Sequence, residues 1–148
     1  MKVAIGSDHG GLILKDAIIK HLEGRGYEVE DFGTYTKDSC DYPDYALKVS
    51  ESIIAGENEL GVLICGTGLG ISIAANKVKG IIAAPVSDTF SAEMARKHNN
   101  ANIIAVGARV VGEGLALKIM DAFFDSEFEG GRHAGRVAKI RAIEEQNK

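Results

Sequence analysis

Cys65 opens the run Cys65-Gly66-Thr67-Gly68-Leu69-Gly70, directly after the uncharged stretch LGVLI at 60–64. Glycines at alternate positions ahead of an apolar helical run let consecutive backbone N–H groups converge at the positive end of a helix, a seat for an oxyanion. A thiol at the mouth of that loop feels the same helix end, which favours the thiolate. Taken alone, the loop can also be a tight turn serving packing, and Cys65 a small buried hydrophobe. The pattern is neither Walker A, which needs lysine after the last glycine, nor the GxGxxG dinucleotide fingerprint, and no acidic residue ends the next apolar run to hold a ribose hydroxyl.

The other residues able to do chemistry are scattered. Ser7-Asp8-His9-Gly10-Gly11 follows the first apolar run, and Ser87-Asp88 follows the fourth. The four histidines, His9, His21, His98 and His133, show no pair with metal-ligand spacing, so no metal is expected. His21 reads as solvated surface between Lys20 and Glu23, and Cys40 as a thiol in a polar loop without a comparable neighbour. His98 ends a helical pattern ahead of Asn99 and Asn100, a context that suits either capping or acid–base work. Arg132 and Arg136 are four apart and share a face on a helix, and Arg109 follows the fifth apolar run. Paired guanidinium groups suit phosphate, although a solvated basic face gives the same spacing.

The elements that must position these groups alternate along the chain. Strands are expected at 2–6, 27–32, 60–65, 80–86 and 102–108. Helices are expected from Leu12 to Gly24, from Pro43 to Gly56, through 71–78, after Asp88 with Phe90, Met94 and Ala95, and over 113–124. A glycine-rich stretch and a charged helix close the chain. This is the pattern of an α/β fold: a three-layer α/β/α sandwich around a Rossmann-like five-stranded parallel sheet, with a C-terminal helical tail. In such a sheet ligands bind beyond the carboxyl ends of the strands, which is where the suspect loops fall. One domain over 1–148 is expected, with 130–148 as a tail whose narrow stripe of Val137, Ile140 and Ile143 suits docking on a partner subunit.

Composition narrows the function classes. The chain has 148 residues, 45% hydrophobic and 26% charged, as ordinary globular domains do. A net charge of −4 argues against nucleic acid or an anionic membrane as partner. No apolar stretch reaches the ~18 residues of a membrane span. Two cysteines without a secretory leader point to a reducing cytoplasm.

The blocks GSDHGG, DYPDYA, CGTGLGISIAANK, RKHNNANIIAVGAR and FEGGRHAGRVAKI, in that order along nearly the whole chain, resemble the type B ribose-5-phosphate isomerases of the ribose/galactose isomerase family. The resemblance implies a homodimer or a dimer of dimers, an active site lined by both subunits, no metal and no organic cofactor. It implies interconversion of ribose 5-phosphate and ribulose 5-phosphate through an enediolate; a six-carbon phosphosugar (allose 6-phosphate or galactose 6-phosphate) is the alternative substrate, and a non-catalytic phosphosugar-binding module the remaining one. Carried over residue by residue, Cys65 is the proton carrier. The N–H groups of Gly66, Gly68 and Gly70, with Asn99, form the anion hole. Thr67 and His98 open the furanose ring, and Asp8 contacts sugar hydroxyls. His9, Arg109, Arg132 and Arg136 clamp the phosphate, and Tyr42 borders the pocket. A second branch of the family carries a glutamate base after the glycine loop; Ile71 stands there, which assigns this chain to the cysteine branch. Ile82 departs from the arginine usual at its position.

Overall fold

The computed structural model describes residues 1–147. Five strands, β1 (Lys2–Ser7), β2 (Glu28–Asp31), β3 (Leu60–Cys65), β4 (Ala83–Pro85) and β5 (Ile103–Gly107), form one parallel sheet in the order β2-β1-β3-β5-β4. Every residue of β3 and β5 is buried, because both faces of the central strands are covered and neither can carry a charge. β2 at one edge alternates exposed and half-buried residues.

Among the described residues six helices complete the layers: α1 (Leu12–Gly24), α2 (Tyr42–Ile54), α3 (Leu69–Ala75), α4 (Thr89–Lys97), α5 (Glu113–Phe124) and α6 (Arg132–Gln146). Strand alternation sends Val3, Ile5, Val62, Ile64, Ile104 and Val106 to one face, where they meet Leu14, Ile18 and Leu22 of α1, Ala92 and Ala95 of α4, and Ile119, Met120 and Phe123 of α5. Ala4, Leu63, Cys65, Ile103 and Ala105 point the other way, onto Ala46 and Val49 of α2 and Ile71 and Ala75 of α3. Among the described residues no helix is long and apolar enough to cross a membrane.

Three expected elements differ. The fourth strand is only Ala83–Pro85, because side chains replace its ladder: the Asn102 amide accepts from Ile82 N–H and donates to Gly80 O, and Asn76 pairs with both N–H and C=O of Ala83. α3 is Leu69–Ala75, starting two residues before and ending three residues before the expected 71–78. On α4, Phe90 is exposed and Met94 half-buried, since only Ala92 and Ala95 fit under α5; Asp88 caps this helix, accepting from Ser91 N–H at 2.7 Å.

The tail is held loosely to its own chain. α6 buries only His133 and Val137, and Ile140 and Ile143 stay exposed along a groove shared with Asn76, Ile81 and Ile82. Its far end is tied down by Glu144, whose carboxylate accepts from Gly80 N–H at 3.0 Å.

Candidate active site

The carboxyl rim gathers nine of the residues singled out in sequence. Cys65 ends β3, 5% exposed, and its Sγ accepts the Gly68 N–H at 3.2 Å, the contact a thiolate would make. The loops after β3 and β5 are stitched together by Ala108 N–H to Cys65 O and Arg109 N–H to Gly66 O, which lays the Arg109 side chain over Gly66. Tyr42, the first residue of α2, puts its ring against Gly70.

The three glycines are not equivalent. Gly68 has φ +81° and sits so close to β5 that an added Cβ would lie 2.9 Å from the Val106 carbonyl carbon. Gly70 leaves room for the Tyr42 ring, whose Cζ a Cβ would approach to 2.6 Å. Gly66 has ordinary space around it. The expected nest is also partly occupied: Gly68 N–H is engaged by sulfur, and Leu69 N–H donates to Thr67 Oγ1 at 3.2 Å. A ligand oxyanion must compete for these two donors or use the N–H groups of Gly66, Thr67 and Gly70.

After β1, Asp8 accepts Gly10 N–H at 3.0 Å and so caps the single 3-10 turn His9–Gly11. It is nearly buried, and one carboxylate oxygen already has this local task. His9 has a neighbour the sequence did not reveal. Cys40 N–H donates to His9 Nδ1 at 3.2 Å, and the Cys40 thiol lies 3.8 Å from the same nitrogen. Cys40 is therefore not the isolated loop thiol expected, since the loop between β2 and α2 folds back over the rim.

The remaining candidates stand at the opposite edge. Helices of a parallel sheet run against its strands, so the C-cap of α4, His98, and the following Asn99 lie beside the amino end of β5. Cys65 is in register with Gly107 at the other end, about 13 Å away along four residue steps of about 3.3 Å. Arg132 and Arg136 belong to the same edge: Arg132 opens α6 next to His133, whose ring stacks on His98 with centroids 4.1 Å apart and planes 11° apart. Both arginines are exposed and without a carboxylate partner among the described residues. Arg96 holds the loop carrying Asn99 by donating to Asn100 Oδ1 and Ala101 O.

His98 and His133 also share Glu129, with Nε2 to Oε1 distances of 3.6 and 3.7 Å. Two histidines without metal-ligand spacing in sequence are thus brought together with a carboxylate by the fold, and only the i, i+4 spacing of Glu129 and His133 is visible in the sequence. The ligand atoms of the three lie within 4.8 Å of one another, yet near-parallel rings aim their in-plane lone pairs side by side, so coordinating one ion through both requires breaking the stack. Burial, then the charges of His98 and Arg132, and after Glu129's opposing pull that of Arg136, hold the His133 pKa below the usual imidazole value. His21 is likewise not merely solvated: it pairs with Asp121 at 2.7 Å, and Arg25 joins the same carboxylate.

A sulfur base beside N–H donors and an arginine can take a proton from carbon next to a carbonyl and stabilise the resulting oxyanion. Known proteins of the same shape narrow this further. The chain matches the Ribose/Galactose Isomerase family over residues 3–140. It is 51% identical over 145 residues to ribose-5-phosphate isomerase B of Escherichia coli (strain K12), covering 98% of this chain and 97% of that one. A Clostridium thermocellum ribose-5-phosphate isomerase B structure superposes with a TM-score of 0.99 at 57% identity over the whole of both chains. The Mycoplasma genitalium ribose-5-phosphate isomerase B with bound ribulose-5-phosphate superposes with a TM-score of 0.94 at 43% identity, covering 98% of this chain and 97% of that one. With a family match spanning almost all of its elements and relatives this similar end to end, the chain belongs to the ribose/galactose isomerase family.

Proposed function

We propose that the protein is a ribose-5-phosphate isomerase of the cytoplasm, interconverting ribose 5-phosphate and ribulose 5-phosphate with Cys65 as the proton carrier. The observation that carries this is Cys65 Sγ at the end of the central strand, holding the Gly68 N–H and adjoining the glycine loop and Arg109, in a member of this family. The relative with ribulose-5-phosphate bound supports a five-carbon phosphosugar.

The site is shared between two copies of the chain. His98, Asn99, Arg132 and Arg136 are a strand's length from Cys65, so within one chain they cannot act on a single small sugar together with it. A symmetric homodimer that sets the amino edge of one protomer against the carboxyl rim of the other closes the site twice. The exposed, unpaired guanidinium groups and the sparsely buried α6 support this arrangement.

In that site the phosphate sits between His9 and Arg109 of one protomer and Arg132 and Arg136 of its partner, with paired guanidinium forks supplying charge and direction. His98 and Thr67 move the protons that open the furanose ring. Asp8 holds sugar hydroxyls, and Tyr42 walls the pocket. The Cys65 thiolate then takes the C2 proton, the electrons forming the C1–C2 double bond while charge moves to O1. The N–H groups of the loop and Asn99 hold that oxyanion, a contribution of about 3–4 kcal/mol per well-placed donor. The O2 proton passes to O1, which becomes the C1 hydroxyl, and as the O2 lone pair forms the ketone the thiol returns its proton to C1, regenerating the thiolate.

The test combines exchange and specificity. In D2O the wild type exchanges the C2 proton of ribose 5-phosphate, whereas Cys65→Ala does not, while inorganic phosphate still binds. Exchange near the wild-type rate in Cys65→Ala removes Cys65 as base. A kcat/KM higher for allose 6-phosphate or galactose 6-phosphate than for ribose 5-phosphate reassigns the substrate to six carbons.

A further inference from the structure

The Cys40 N–H is a donor with no acceptor capacity, so the 3.2 Å contact obliges His9 Nδ1 to be the unprotonated nitrogen. The ring's proton is then on Nε2. We infer that the Cys40 backbone amide is a positioning group of this active site, locking His9 in the Nε2–H tautomer so that it meets the substrate phosphate as a hydrogen-bond donor. The inference rests on the proposed phosphate role of His9.

The loop that carries residue 40 is anchored at its start by buried charge. Lys15 of α1 is fully buried, and its ammonium donates to Asp31 Oδ1 at 2.7 Å and to Thr34 O at 2.6 Å, gripping the start of the loop between β2 and α2. A buried ammonium is tolerated only with such partners, and it fixes their geometry. Tyr35 extends the grip, its hydroxyl donating to Asp31 O at 2.7 Å and its ring 5.0 Å from Lys15 Nζ. Two backbone bonds, Ser7 N–H to Gly33 O and Thr34 N–H to Ser7 O, tie the same loop to the end of β1, two residues before His9. The strand end that leads to His9 and the start of the loop that leads to Cys40 are thus cross-linked to each other. The second nitrogen of a ligand-binding histidine decides which tautomer meets the ligand, as in metal sites where a backbone or carboxylate partner sets the ring.

The test uses the full-length protein in its native assembly, labelled with 15N, at alkaline pH where imidazoles are neutral. Long-range proton–nitrogen correlations of His9, assigned by comparison with His9→Gln, are expected to show the Nε2–H tautomer. Cys40→Ala retains that signature, because it deletes the thiol and keeps the amide. An Nδ1–H signature in the wild type, or loss of the Nε2–H signature in Cys40→Ala, overturns the lock. The second arm titrates inorganic phosphate. A glutamine amide nitrogen reaches the position of Nε2 and an asparagine that of Nδ1, so His9→Gln should hold phosphate within about threefold of wild type and His9→Asn should lose on the order of tenfold. Wild-type affinity in both variants overturns the phosphate role of His9 while the tautomer signature stands, which separates failure of the underlying reading from failure of the lock.

Discussion

Replacing Gly66, Gly68 and Gly70 by alanine, one at a time, separates the structural demands of the catalytic loop from its chemistry. At Gly68 the left-handed backbone costs an alanine about 1–2 kcal/mol. Its Cβ would also stand 2.9 Å from the Val106 carbonyl carbon, a backbone atom in the buried strand β5 that cannot swing aside, adding about 1–3 kcal/mol of overpacking. The sum, about 2–5 kcal/mol, is a large part of a typical stability of about 5–15 kcal/mol and lowers Tm by roughly 5–20 °C. At Gly70 the obstacle is the Tyr42 ring, 40% exposed and free to rotate outward, so stability falls by less than about 1 kcal/mol while the pocket wall shifts and KM rises. At Gly66 the nearest atom is the flexible Arg109 Cδ at 3.6 Å, and stability stays within about 0.5 kcal/mol. Urea unfolding followed by circular dichroism gives the ranking, and initial rates with ribose 5-phosphate give the functional part. A Gly66→Ala protein destabilised as much as Gly68→Ala would refute the reasoning.

Cys65→Ala is expected to lower kcat by on the order of 10²–10⁴-fold, measured as ribulose 5-phosphate formed, without weakening phosphate binding. For His98→Asn, net consumption of cyclic ribose 5-phosphate should fall while exchange of the C1 proton of ribulose 5-phosphate with D2O persists, because that exchange needs no ring opening; parallel losses followed by NMR would contradict the ring-opening role. His133 gives a pH signature. Its folded pKa lies below the unfolded value of about 6.5, so the unfolded chain binds the proton more tightly and stability falls as pH drops through that value, levelling off below the folded pKa. In His133→Gln the urea midpoint should vary less with pH across that window than in the wild type, and an unchanged slope would count against the burial argument.

The elements that carry the rim were legible because their signals are local. An uncharged strand, a glycine loop and a capping aspartate each announce themselves within a few residues, and β3, Cys65 and the Asp88 cap stand where those signals put them. What the sequence concealed are pairings made by crossovers. Lys15 is buried because Asp31 and Thr34 are brought to it, and His21 meets Asp121 from 100 residues away. Cys40 reaches His9 across 31 residues through a polar loop with no periodicity to read. That His98 stands at the edge opposite Cys65 follows from the direction of α4; strand order and helix polarity, not residue type, decide it. The shortened β4 has the same origin, since two asparagine amides substitute for ladder bonds that an apolar run would otherwise have made.

Complementation decides whether the isomerase site is assembled from the carboxyl rim of one protomer and the amino edge of its partner. Subunits carrying Cys65→Ala are mixed with subunits carrying both Arg132→Ala and Arg136→Ala, and purified heterodimers are assayed with ribose 5-phosphate. In a shared site one of the two pockets then combines an intact Cys65 with intact arginines, and the heterodimer recovers about half of the wild-type activity where each parent has almost none. A heterodimer as inactive as its parents would mean that Cys65 and the arginines act within the same chain or not in the same site, and that no site is shared between protomers.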